Sequence, residues 1–114
     1  MKTFSYTPRP VKLLNKSDDL VDTGFTGSIE IKMPNFIDRQ ELLKQRIDLG
    51  DDLVGIAKYA MERVGEHVGS ITLNHPEWGE VKNLEELSFY EPGVAIIVDV
   101  LNVICKGWSL PPKT

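Results

Sequence analysis

Pro92-Gly93-Val94-Ala95-Ile96-Ile97-Val98-Asp99-Val100-Leu101-Asn102-Val103-Ile104-Cys105-Lys106-Gly107 is the stretch on which the architecture turns. Pro92 stands where the first turn of a helix needs no N–H, and Gly107 stands where a helix stops, so the spacing predicts a helix over about 92–106. Val94, Ile97, Val98, Leu101, Ile104 and Cys105 repeat at helical intervals as one stripe. Ala95, Ile96, Val100 and Val103 make most of the remaining circumference apolar as well. A helix of this kind is either central to a core or covered by a partner on its second side. Ile97 and Leu101 are the expected centre of that core, with Ala60, Met61 and Val64 from an earlier helix packed against them.

That earlier helix is expected at about 52–68. Asp51 and Asp52 favour its N-terminus, where the helix dipole is positive, and Gly69 closes it. Leu53, Ala57, Ala60, Met61, Val64 and Val68 form its apolar side, and Lys58, Glu62 and Glu66 its solvated side. Another helix is expected at about 36–49. Asp38 and Glu41 have capping-box spacing, Asn35 offers an alternative earlier cap, Leu42, Leu43 and Ile47 share a face, and Gly50 supplies the stop. Asn83 with Glu86 caps a single further helical turn carrying Leu84, Leu87 and Phe89.

Between Gly24 and Pro34 the period changes to two. Phe25, Ile29, Ile31 and Met33 fall on one face and Ser28, Glu30 and Lys32 on the other, the pattern of a half-buried strand. The expected partner is Val11–Leu14, joined through Ser17–Gly24 as a hairpin, or else residues 71–73, where Ile71-Thr72-Leu73 reads as a short strand before the turn Asn74–Gly79. Residues 1–24, with Pro8 and Pro10, read as an extended arm or edge strand. The expected fold is α+β and mostly α: a short N-terminal β-hairpin or strand pair, then three main helices and a short extra helical turn. It is one domain over 1–114, with an arm at 1–24, a core at 25–107 and a tail at 108–114.

Composition narrows the function. At 114 residues the chain can bury one substantial core without staples. A single cysteine excludes a disulfide framework, and Met1–Tyr6 lacks the apolar stretch of a signal peptide, so the cytoplasm is the expected compartment. The longest apolar run, Val94–Val98, is far too short for a membrane span. The net charge of −4 and the scatter of Lys44 and Arg46 among Glu41 and Asp48 argue against nucleic acid.

Candidate chemistry is thin. His67 beside Glu62 and Glu66 is the one constellation to test for metal, but positions 66 and 67 diverge by about 100° around a helix, so three ligands do not converge. Cys105 lies in an apolar stripe, where cysteine behaves as a small hydrophobe. No Gly-x-Ser-x-Gly elbow supports a catalytic serine, and Gly65 and Gly69 are not followed in P-loop order. Asp48–Asp52 lacks the alternating ligands of a calcium loop. The expectation is therefore a non-enzymatic domain with no cofactor and no metal that binds protein, in a second copy or a different chain. Trp78 reads as core. Trp108 reads equally as core or as an interface anchor. The expected partner surface is Trp108 and Leu110 with Ile96, Val100 and Val103, the second side of the last helix.

One resemblance follows from the order of the segments. Gly27-Ser28-Ile29-Glu30-Ile31-Lys32-Met33-Pro34 leads into Phe36-Ile37-Asp38-Arg39-Gln40-Glu41-Leu42. A long amphipathic helix comes next, then Leu84-Glu85-Glu86-Leu87-Ser88-Phe89, then the apolar helix ending at Gly107 with a brief tail. This layout resembles the small tail assembly chaperones of long-tailed bacteriophages. The resemblance implies a protein of the host cytoplasm that coats the tape-measure protein and recruits tail-tube subunits, without catalysis or cofactor. The alternatives are a head–tail connector type of structural adaptor, a small antitoxin-like regulator, or a minor enzyme. An apolar groove along the last helix favours the chaperone; a deep polar pocket containing His67 or His75 favours the enzyme.

Overall fold

A computed structural model describes residues 3–13 and 19–106. In chain order its elements are β1 (Thr3–Tyr6), β2 (Thr26–Lys32), α1 (Phe36–Asp48), α2 (Leu53–Arg63) with a 3-10 turn at Val64–His67, β3 (Val68–His75), β4 (Gly79–Val81), α3 (Leu84–Leu87) and α4 (Glu91–Lys106). The fold is α+β.

The strands form one antiparallel sheet in the order β1-β2-β3-β4, so the expected strand pair is in fact four strands. The period-two segment is β2, and Ile29 and Ile31 face the core as the alternation requires. Its partner on one side is β3, with Ile29 opposite Ile71 and a register shift before Ile31 meets Val68. On the other side it is not Val11–Leu14 but β1, with Thr3 opposite Lys32 and Tyr6 opposite Ile29. Pro8 and Pro10 remove ladder donors from the following segment, whereas Thr3–Tyr6 has all of its N–H groups. Val11 makes an isolated bridge to Val21, and Leu14 lies outside the described residues. Gly27, at φ +106°, lies so close to β3 that a Cβ there would run into the Thr72 carbonyl oxygen.

Asn35, rather than Asp38, caps α1: its Oδ1 accepts from the Asp38 N–H at 2.8 Å. Asp52 caps α2 through the Gly55 N–H, and Asn83 caps α3 through the Glu86 N–H. The helix expected over 52–68 is shorter. It tightens into a 3-10 turn at Val64 and becomes strand β3 at Val68, so Gly69 lies inside a strand. Gly65 and the β-branched pair Val64 and Val68 are poor helix residues, and Val68 gains a ladder partner instead. The buried side of α2 is Ile56, Ala57 and Ala60, continued by Val64, while Leu53 and Met61 are exposed. The small Ala57 and Ala60 are the side on which α2 approaches α4.

Helix α4 is the centre. Ile96, Ile97, Val100, Leu101, Val103 and Ile104 join Ile29, Ile31 and Leu73 of the sheet, Leu42 of α1 and Ala60 of α2 in a single core cluster. At its start a Cβ on Gly93 would collide with the Leu87 carbonyl oxygen, so α3 fixes where α4 begins. Among the described residues no helix is long and apolar enough to cross a membrane.

Candidate functional site: a groove along the last helix

The expected partner surface is corrected by burial. Ile96 and Val100 are 0% exposed and Val103 is 2% exposed, because the sheet and helices α1 and α2 between them cover nearly the whole circumference of α4. The helix meets the first of the two conditions that its sequence allowed, and its own chain covers the second side. Trp108 and Leu110 lie outside the described residues.

One strip of α4 differs from the rest. Ala95, Val98, Asp99 and Asn102 are spaced i, i+3, i+4, i+7, the stripe that a helix turns toward a neighbouring helix. They line a groove of about 710 Å³. Val11 and Ile56 complete its apolar floor, and Leu20 and Leu53 stand at its edge, 67% and 49% exposed. Neither His67 nor His75 lines it.

A polar knot closes one wall. Asp99 accepts from the Tyr6 hydroxyl at 2.6 Å and from Arg9 twice, Nε at 2.8 Å and Nη2 at 3.0 Å. The carboxylate side chain is 14% exposed and the guanidinium 48%. A carboxylate in an otherwise apolar helix needs such partners, and here they come from the arm some ninety positions earlier. Burial raises the Tyr6 phenol pKa far above its ordinary value, and the hydrogen bond to Asp99 adds to the rise. The same hydrogen-bonded carboxylate raises the pKa of Arg9. Across the groove, Arg46 of α1 donates from Nε to Asn102 Oδ1 at 3.3 Å.

The other flagged residues have structural surroundings. Trp78 is sandwiched between His75, at 4.0 Å and 12°, and Tyr90, at 3.9 Å and 4°, with Phe25 edge-on to His75 at 5.0 Å. This stack pins the β3–β4 turn to the start of α4 and leaves neither indole face free. His75 Nδ1 also accepts from the Glu77 N–H at 3.1 Å. Cys105 is buried, and desolvation pushes its thiol pKa up while Arg46 pulls weakly the other way. Such a thiol is a poor nucleophile. His67 is half-buried, and loss of solvent lowers its pKa against the pull of Glu66. Among the described residues no three His, Cys, Asp or Glu side chains are grouped to hold a metal ion.

Sequence reasoning missed Arg9, Arg46, Leu20 and Leu53 as groove residues, and Tyr6 as the buried partner of Asp99. One signal was available for the knot: Asp99 is the single carboxylate inside the apolar run of α4, and a charge there calls for a partner. Comparisons with protein-family models, curated proteins and solved structures find none that matches this chain.

Proposed function

We propose that this chain is a non-enzymatic protein-binding domain whose groove along α4 receives an amphipathic helix. In its narrower form the proposal is a tail assembly chaperone of a long-tailed bacteriophage, with tape-measure protein as the client and tail-tube subunits as recruits. The observation that carries it is the helix-facing stripe Ala95, Val98, Asp99, Asn102, which lines a groove edged by the exposed leucines Leu20 and Leu53. Helix-in-groove recognition needs that combination of apolar floor and open side. Trp108 and Leu110, a few residues beyond α4, are proposed to add to the same contact.

Co-expression with a long, otherwise insoluble helical tape-measure protein tests the narrower form. The client becomes soluble with the wild-type chain and stays insoluble with Leu53→Asp, which places a charge at the groove edge without touching the core. A client that stays insoluble with both removes the chaperone form. The head–tail adaptor and regulator forms of the same protein-binding reading are then tested by pairing the chain with those partners. Sedimentation at micromolar concentration tests whether a second copy is the partner, with Trp108→Ala expected to weaken any self-association.

A further inference from the structure

We infer that the helix received by the groove is acidic on the flank facing α1, and that Arg46 captures its carboxylate. The inference rests on the groove being a helix-docking site and specifies the chemistry of the occupant. Five charged side chains line the groove and settle it. Arg9 and Asp99 neutralise each other in a bidentate pair. Asp51 stands exposed at the rim, where water solvates it with or without an occupant. Lys12 also lines the groove but is exposed, so water solvates it with or without an occupant, as it does Asp51. That leaves Arg46, half-buried, whose hydrogen bond is to the neutral amide oxygen of Asn102 and which meets no carboxylate among the described residues.

A helix laid on Ala95–Asn102 would run beside about 10 Å of α4, roughly two turns, and would pass Asn102 and therefore Arg46. Docking removes water from a guanidinium that is already partly covered. A cation buried without an anion costs more than the apolar contacts nearby supply, whereas a bidentate carboxylate turns that cost into a contact. The occupant thus presents two or three apolar side chains at i, i+3 or i+4, and i+7, and a Glu or Asp on the adjoining flank.

Two designed peptides of about 18 residues provide the probe, identical in leucine stripe and differing in flank, one glutamate and one lysine. Anisotropy titration reads their affinities. The chain as a whole carries a net charge of −4, so long-range attraction alone favours the lysine peptide. The expected result is the reverse, with the glutamate peptide binding about tenfold tighter and the preference lost in Arg46→Gln and kept in Arg46→Lys. Both peptides should fail on Leu53→Asp. Equal binding, or tighter binding of the lysine peptide, that still depends on Leu53 overturns the carboxylate inference and leaves the docking groove standing. Failure of both peptides to bind the wild-type chain overturns the two together.

Discussion

Along one side of α4, Ile97, Leu101 and Ile104 pack into a core shared with the sheet and with α1 and α2; along another, Ala95, Val98, Asp99 and Asn102 open into a groove. The first side is held by apolar burial, which is non-directional and forgiving of detail. The groove side is held by directional bonds, with Tyr6 and Arg9 on one carboxylate and Arg46 on one amide. The difference shows how one helix can both anchor a core and leave one strip open to solvent. The buried side fixes its position, and the polar side then holds a shaped surface open to solvent.

The largest expected effect lies on the buried side. Leu101→Ala removes a fully buried side chain and should cost about 2–5 kcal/mol in urea unfolding. A cost within about 0.5 kcal/mol, the surface norm, would mean that the two sides of α4 do not differ as described. The middle effect belongs to the knot. Asp99→Ala leaves the Tyr6 hydroxyl and Arg9 without their acceptor and should cost about 1–3 kcal/mol. Arg9→Ala should cost under about 1 kcal/mol, because half of that guanidinium is already in water. Equal losses from the two variants would show that the buried Tyr6 bond contributes nothing.

The smallest effect lies off α4 altogether. His67 has its pKa lowered by burial below the ordinary 6.5, so the folded state favours the neutral ring and the unfolded state binds the proton more readily. Its contribution to stability is complete above pH 6.5 and is lost as the pH falls through the lowered folded value. Denaturation midpoints measured on either side of pH 6.5 should fall less on the acid side for His67→Gln than for the wild type. Identical falls would assign the acid sensitivity to carboxylates elsewhere.

The two sides of α4 also differ in how far they can be read from sequence. The helix itself, the Asn83 cap of α3 and the alternation of β2 are local patterns, and the structure follows them. The partner of β2 is a non-local choice. Thr3-Phe4-Ser5-Tyr6 does alternate, but four residues beside two prolines give a weak signal against the more apolar Val11–Leu14. On α2 the expected stripe holds at Ala57, Ala60 and Val64, whereas Leu53 and Met61 are exposed and Ile56, outside that stripe, is buried. Surplus apolar circumference on α4 suggested an outward face at Ile96, Val100 and Val103, yet the sheet and two helices have enough surface between them to cover it. The groove was illegible for a further reason. Its walls come from the arm, α1, α2 and α4, and no window of sequence holds them together.

The most direct test of the groove as a protein-binding site is an amide-resolved titration. Uniformly nitrogen-labelled protein would be followed by NMR as the leucine-stripe peptide with glutamate flanks is added. The predicted result is a set of shifted amides confined to Arg46, Leu53, Val98, Asp99, Asn102 and the arm at Arg9–Leu13, while β4 and α3 stay unmoved. Shifts centred on the outer sheet face or on β4, or no shifts at saturating peptide, would contradict it.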